Sequence, residues 1–377
     1  MANLTQHQIL QRLTRLQGPE QEQQVNFAAL GTTVLPSSLK TDKFIWGIII
    51  RFHGRIAVGG TAFTPLVNAL WNLLQEVRLK GTHTKYGAQT PVRLRGAAIR
   101  DLSSIFGRGG YVPFSKVFKT GTLGTFDGAA STNYDVDVEW LLPIPPQGIP
   151  LADQILYAVK GPEWAGDLHL EFDTGDGTSL GTTSGNITFS AYNSGSSSPQ
   201  ISVSLIRPCM TVALMNAITP GITFKTYRDL ASILQAATFT GQKISDLNVG
   251  KGTTRLIQRT GTLQTSVSAG VNVMSAYSDS IITRAFPSLD GKPLKNPYSI
   301  FETKDYEAYA LGNALPLGYA IHDWIEGGNV HSMFQSQSLT AARRFELDGD
   351  VTAASNQGGE LIQEEILGSP VILPVAA

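Results

Sequence analysis

The clearest structural signal in this sequence is the stretch Tyr134-Asp135-Val136-Asp137-Val138-Glu139-Trp140. Aromatic and β-branched residues alternate here with carboxylates, so the apolar side chains share one face of a strand and the acidic side chains share the other. Such a period of two predicts one buried face and one face that lies in water or at an interface. The proline-rich residues 141–146 then end the strand, because proline cannot donate to the hydrogen-bonded ladder.

Outward from this strand, the same kind of pattern recurs along the chain and predicts an all-β fold with helical insertions. Period-two alternation or β-branched runs predict strands at residues 44–58, 75–80, 167–172, 186–192, 200–205, 254–263, 317–325, 339–347 and 360–367. Apolar residues at helical spacing predict short helices at 65–74, 97–106, 228–237, 275–286 and 301–311.

The chain also divides into segments. Arg207-Pro208 and the turn residues 219–221 separate two halves of similar length and a similar order of elements. We therefore predict an N-terminal amphipathic helix and arm at residues 1–40, a first β-domain at 41–215 and a second at 216–377.

The N-terminal segment is rich in glutamine, and Gly18-Pro19 ends its helical pattern. Two interpretations stay open. The helix could dock on its own domain, or the segment could be an arm that reaches toward a neighbouring subunit or an inner membrane surface. The apolar residues with near-helical spacing are Leu4, Ile9, Leu10, Leu13 and Leu16.

Composition limits the function. The 377 residues are 42% hydrophobic and only 16% charged, with a net charge of −1, whereas soluble proteins average about 25% charged residues. The chain is too apolar to be disordered, and without a basic surplus it is not expected to bind nucleic acid directly. Scarce charge instead favours a surface covered by copies of the same chain. The N-terminus lacks the apolar core of a signal peptide, so synthesis in a cytoplasm is expected.

Motifs that resemble catalytic sites lack their required context. Gly177–Ser179 with Leu180-Gly181 matches the nucleophile elbow G-x-S-x-G, but loop residues follow where the motif needs a helix. Asp173-Thr174-Gly175 has no second copy to complete an aspartic-protease pair. Residues 249–254 lack the spacing of a phosphate-binding loop and are expected to form a hairpin turn.

Further candidates have structural interpretations. Asp173 and Asp176 could hold calcium in a loop, although EF-hand spacing is absent. The single cysteine, Cys209, is expected to be a small buried apolar residue. Three Asp-Gly pairs, at 127–128, 290–291 and 348–349, are expected at hairpin tips. No catalytic, cofactor-binding or metal-binding residue is predicted, and no cofactor.

The order of the elements resembles that of double jelly-roll major capsid proteins from tailless icosahedral, membrane-containing viruses of the tectivirus kind. The resemblance spans nearly the whole chain and is architectural. It is carried by the N-terminal helix and arm before residues 44–58, a short helix that leads into a strand at 65–80, a strand with a hydrophobic-Pro-hydrophobic exit at 138–144, and the strands at 167–172, 200–205, 316–324 and 341–347.

The resemblance implies two tandem eight-stranded jelly-roll β-barrels, the first at 41–215 and the second at 216–377. It also implies a homotrimer that forms a pseudo-hexagonal capsomer of a virion capsid. The expected partners are neighbouring capsomers, penton or minor capsid proteins and an inner viral membrane, which the N-terminal arm would face. The long loops at 107–132 and 173–199 would form towers or clasps between subunits.

Two other functions compete with a capsid subunit. A carbohydrate-binding or carbohydrate-cleaving β-sandwich would need exposed aromatic residues near paired carboxylates, and the only such cluster is Trp164 with Glu163 and Asp167. A spike or baseplate protein would be favoured by a repeated fibrous pattern, which the sequence lacks. The absence of any complete catalytic motif favours the structural role.

Overall fold

A computed structural model describes residues 3–4, 15–39, 42–106, 115–181, 186–195, 197–264, 273–312, 314–325, 332–335, 343–373 and 375–376. Contacts divide the chain into two compact units, Met1–Thr223 with Gly368–Ala377, and Phe224–Leu367. The last ten residues thus group with the first unit. The division into a first jelly roll at 41–215 and a second at 216–377 stays a prediction.

The first unit is built mainly from strands, and its helices are short. Its strands are β1 Asn3–Leu4, β2 Leu16–Asn26, β3 Thr32–Val34, β4 Phe44–Ile45, β5 Gly47–Val58, β6 Leu74–His83, β7 Gly87–Leu94, β8 Ser115–Lys119, β9 Thr122–Leu123, β10 Thr132–Pro143, β11 Val159–Lys160, β12 Leu168–Thr174, β13 Ile187–Ser190, β14 Gln200–Pro208 and β15 Ile218–Thr219. Its helices are α1 Gly96–Phe106, α2 Leu151–Ile155 and α3 Val212–Ala217.

Two sets of strands form the sheets of this unit. One sheet has the order β2-β14-β5-β10-β8-β9, and β13 also pairs with β5. Four strands of the other follow the order β7-β6-β12-β3. The centre of the first sheet is apolar, since Tyr134, Val136, Val138 and Trp140 of β10 are fully buried. Helix α1 packs on β10, where the Ser103 hydroxyl donates to the carbonyl of Leu141 at 2.8 Å.

The predicted N-terminal arm needs correction. Residues 16–26 do not reach away from the domain, because they form β2 and pair with β14 along its length. Pro19 fits there because β2 is an edge strand, and the ladder shifts register near Val203 and Leu205. The predicted helix falls largely on residues 5–14, which lie outside the described residues.

The second unit is also built from two sheets. Its elements are β16 Ile222–Asp229, which begins at the boundary, α4 Ala231–Leu234, β17 Thr238–Asp246, β18 Gly252–Leu263, β19 Met274–Tyr277, β20 Ile282–Leu289, β21 Lys292–Pro293, α5 Ile300–Leu311, β22 Tyr319–Asp323, β23 Phe345–Thr352 and β24 Gln357–Leu367. The chain then returns to the first unit, where β25 Val371–Ile372 pairs with β15, and β26 Val375–Ala376 pairs with β1.

Apolar residues from both sheets fill the centre of the second unit. One sheet includes the order β19-β18-β24-β16, with β22 also paired to β18, and the other has the order β17-β23-β20-β21. A single buried cluster joins them, including Leu256 of β18, Leu361 of β24, Ile244 of β17 and Leu347 of β23. Two facing sheets around one core form a β-sandwich. None of the described helices is long and apolar enough for a membrane-spanning segment.

Several local predictions were wrong. Residues 275–286 are not helical but contain parts of two strands, β19 and β20. The turn predicted at 249–254 joins no hairpin, because β17 and β18 belong to different sheets. Cys209 is exposed rather than buried, since it follows the end of β14 in a connecting segment.

The Asp-Gly pairs differ from one another. Asp290 and Gly291, with φ angles of 51° and 77°, form the two-residue turn between β20 and β21, as predicted. Asp348-Gly349 instead lies inside β23, where a Cβ atom at Gly349 would stand 2.2 Å from the backbone oxygen of Arg284. The glycine there permits a close approach of two backbones rather than a turn.

Candidate functional site: charged faces and exposed aromatic side chains

The acidic face of β10 is covered, contrary to the sequence prediction of a wet or interfacial face. Asp135, Asp137 and Glu139 are each at most 7% exposed. Arg55 lies directly opposite Asp135 on β5 and donates two hydrogen bonds to its carboxylate, each 2.8 Å long. Burial disfavours the charge of Asp135, but the bonds from Arg55 and from a backbone N–H outweigh it and lower its pKa.

Glu139 lacks an equivalent partner. Arg51 lies opposite Glu139 in register, yet its guanidinium donates two hydrogen bonds to Asp137 on the diagonal. Oε1 of Glu139 is buried without a hydrogen-bond partner among the described residues. Burial therefore raises the pKa of Glu139 to about 7, and the charge of Arg51 offsets only part of this effect.

The second unit encloses a larger ionic layer on β16, β18, β22 and β24. Nε of Arg255 donates to Asp323 at 2.9 Å, and its Nη1 donates to Glu364 at 3.2 Å. Lys225 reaches the other oxygen of Glu364 at 3.4 Å. The charged residues of this layer, each at most 6% exposed, are Lys225, Arg255, Arg259, Asp323, Glu360 and Glu364.

Burial and neighbouring charges shift the pKa values of groups in and beside this layer. Burial opposes the charge of Arg255, but Asp323 and Glu364 outweigh burial and raise its pKa. For Lys225 burial is the stronger effect and lowers its pKa despite Glu364. His322, which contacts Gln258 at 3.1 Å, has its pKa lowered to about 3 by burial and is neutral at physiological pH.

The residues of the catalytic-like motifs have structural partners. Ser179 is fully buried, and its Oγ accepts a hydrogen bond from Gln75 at 2.7 Å. Asp173 is held by two hydrogen bonds from Arg78, and Asp176 accepts from the backbone N–H of Thr178 at the start of a 3-10 turn. These contacts occupy the carboxylates proposed for calcium, and no group of three or more metal-ligating side chains lies among the described residues.

The carbohydrate-site candidate is also not assembled as a binding surface. Trp164 is 1% exposed and packs edge-on against His83 at 5.2 Å. It therefore has no free face on which a sugar could stack. Glu163 lies 3.5 Å from His83, while Asp167 accepts a hydrogen bond from Thr82.

A surface that sequence reasoning missed lies on α5 and its flanks. Helix α5 starts with a capping box, in which Ser299 and Glu302 satisfy each other's backbone N–H groups. Its buried side carries Thr303 and Glu307, so aromatic residues remain outside. Five of the twelve exposed large apolar side chains of the described residues lie on this helix or within six residues of its ends: Tyr298, Phe301, Tyr306, Tyr309 and Leu317.

This set of residues, which we name the α5 aromatic surface, has a signal in the sequence. Phe301 and Tyr309 are eight residues apart and therefore share one side of the helix, where they are 65% and 90% exposed. Sequence reasoning assigned the helix but not its orientation, because aromatic residues occur on more than one side of it. Exposed aromatic residues of this kind are typical of protein interfaces.

Comparisons with known proteins bear on the whole chain. No family model and no curated protein matches the sequence. Among solved structures, the MCP of STIV matches with a TM-score of 0.59 at 13% identity, over 94% of this chain and 97% of that one. The major capsid protein of bacteriophage PM2 matches with a TM-score of 0.54 at 10% identity, over 94% and 98%. The PBCV-1 virus capsid matches with a TM-score of 0.56 at 14% identity, over 94% of each chain.

The fold is a double jelly roll. The prediction of an all-β double jelly roll with helical insertions is thereby confirmed. At identities of 10–14%, these structural matches establish the shared fold and leave function to be argued separately.

Proposed function

We propose that this double jelly-roll chain is the major capsid protein of an icosahedral virus and is located in the virion capsid. The observation that carries the proposal is the similarity to viral capsid proteins over more than 90% of both chains. This similarity supports a capsid subunit over a carbohydrate-binding or spike-type β-sandwich. The buried position of Trp164 supports the same choice.

The role we infer is structural rather than enzymatic. The residues of the catalytic-like motifs are engaged in turns, ion pairs and buried hydrogen bonds. We further propose a homotrimer, because two jelly rolls in each of three subunits give six similar lobes that tile a shell as a pseudo-hexagonal capsomer. Contacts with neighbouring capsomers, penton or minor capsid proteins and an inner viral membrane belong to this proposal and rest on the resemblance of the fold.

The α5 aromatic surface is our candidate for a contact between copies of the chain. Aromatic residues dominate the energetically important centres of interfaces, since they bury a large area at a small entropic cost. Tyr309 is 90% exposed in the isolated chain, which leaves this area free for a neighbour.

Light scattering coupled to size-exclusion chromatography tests the proposed function. We expect a particle of three times the 40.5 kDa of one chain, and assembled shells under the electron microscope. The paired substitution Phe301→Ser and Tyr309→Ser should weaken association, seen as a lower mass on dilution or fewer shells. Val212→Ser is the matched control, because Val212 is 66% exposed and lies outside this surface. A monomer that forms no shells would contradict the capsid function.

A further inference from the structure

The first unit contains an apolar groove of about 500 Å³. It lies where the start of β2, the end of α1 and the end of β10 meet residues 147–154. Trp46, Phe106, Leu141, Ile149 and Ile206 line its interior and are each at most 7% exposed. A volume of this size is typical of small-molecule sites, which range over about 300–1,000 Å³.

The polar side chains inside the groove are already satisfied by the protein. Nε1 of Trp46 donates to Oε1 of Gln154 at 3.0 Å, and Nε2 of Gln154 donates to the carbonyl of Ile149 at 2.8 Å. The Ser103 hydroxyl donates to Leu141, and the Gln147 amide donates to Pro145 at 3.0 Å. A polar ligand would have to break these bonds, at a cost of about 1–3 kcal/mol for each buried group left unpaired.

The residue types of the lining also favour an apolar ligand over a charged one. None of the fifteen described residues that line the groove is charged. A carboxylate, phosphate or ammonium group would lose its hydration there without gaining an ionic partner among these fifteen residues, which is unfavourable. A hydrocarbon chain has no such hydration to lose, and burial of each CH₂ group contributes about 0.8 kcal/mol of favourable binding free energy.

We propose that this groove binds the hydrocarbon chain of a free single-chain amphiphile, whose polar end remains in solvent. The opening has a suitable boundary, because Gln17 and Pro19 on its rim are exposed while the interior is apolar. The inference is independent of the capsid function, since it concerns a site within one unit of a single chain.

The first test is a length series of uncharged alcohols: hexanol, octanol and decanol, titrated below their aggregation limits into the full chain by calorimetry. We expect one site per chain and an affinity that rises about fourfold for each added CH₂ group. An affinity that does not depend on chain length would overturn the proposal.

Two substitutions locate the site. Leu151 lies on the rim at the start of α2 and is partly buried, so Leu151→Trp should fill the groove and weaken decanol binding at least tenfold. Leu123→Trp, at a 69% exposed position outside the groove, is the matched control and should bind as the wild type does. Leu151→Ser adds no bulk and should weaken binding severalfold while the thermal unfolding midpoint stays close to that of wild type.

The outcomes separate this proposal from its alternatives. Equal binding by wild type and both Leu151 variants would overturn the assignment to the groove. A flotation assay with neutral phosphatidylcholine vesicles tests whether the bound chain comes from a membrane lipid instead. If wild type floats with the vesicles and Leu151→Trp does not, the groove takes a chain from a membrane lipid, and the assignment to a free amphiphile is wrong.

Discussion

Arg51 in the first unit and Arg255 in the second both bind carboxylates on neighbouring antiparallel strands, but their surroundings differ. The side chain of Arg51 is 41% exposed and bonds diagonally to Asp137. The side chain of Arg255 is 2% exposed and bonds to Asp323 and Glu364, which lie directly opposite it on the two adjacent strands.

This difference shows that the register of two paired strands determines which charged side chains find a partner. Where the arginine meets the residue directly opposite, as Arg255 does, every charge in the group has a partner. Because Arg51 turns to the diagonal Asp137 instead, Oε1 of the directly opposite Glu139 has no hydrogen-bond partner among the described residues. The same residue types in a strand ladder therefore give a closed ionic layer in one unit and a perturbed carboxyl in the other.

The largest effect is expected when the closed layer is broken. Arg255→Met should lower the free energy of unfolding of the second unit by about 3–5 kcal/mol, because two buried carboxylates would lose their shared cation. Urea unfolding monitored by circular dichroism measures this change. An unfolding curve that matches that of wild type would show that the layer carries no net stabilisation.

An intermediate, pH-dependent effect is expected at Glu139. Its folded pKa of about 7 lies above its usual value of 4.5, so ionisation is opposed by the fold. The stability that comes from the protonated form is fully present below about pH 4.5 and is lost as the pH rises to about 7. Glu139→Gln, which is always neutral, should therefore be more stable than wild type at pH 8 by about 1–2 kcal/mol, given some access of solvent.

The same comparison at low pH is the control for Glu139. At pH 4, below the usual pKa of 4.5, wild type and Glu139→Gln should unfold at nearly the same urea concentration, because Glu139 is then largely protonated in both the folded and the unfolded chain. A difference between the two proteins that does not vary with pH would contradict a raised pKa.

The smallest effect is expected at the pair of Arg51 and Asp137. Arg51→Met should cost about 1 kcal/mol, because the arginine side chain is 41% exposed and its ion pair is weakened by solvent, although Asp137 itself is buried. His53, 4.0 Å from Asp137, would still lie beside that carboxylate. A loss as large as that of Arg255→Met would remove the distinction between the two regions.

Sequence reasoning correctly predicted the elements whose residue pattern lies within one short stretch of the chain. Strand β10 was predicted because its period of two lies within one stretch of residues, and α1 and α5 were predicted from apolar spacing. It was wrong where two short elements follow each other closely along the chain. Residues 275–286 contain the end of β19, a connecting segment and the start of β20, and together these mimic helical spacing.

What sequence reasoning missed depends on contacts between distant residues. Strand β2 is polar and contains Gly18-Pro19, and only its pairing with β14, more than 170 residues later, identifies it as an edge strand. The burial of Asp135 and Trp164 likewise follows from which strands and turns lie against them. The candidate surfaces were not predictable for the same reason, because exposure on α5 is decided by the strand against which that helix packs.

The enclosed ionic layer has a consequence for the response of the protein to ionic strength. Dissolved salt screens exposed charges beyond about 10 Å at 0.1 M but acts weakly on charges inside a protein. Part of the 16% charged residues of this chain lies in such enclosed pairs, so the surface holds even fewer charges than the composition suggests. The proposed association of its copies should accordingly change little with added salt and more with temperature, through the temperature dependence of apolar burial.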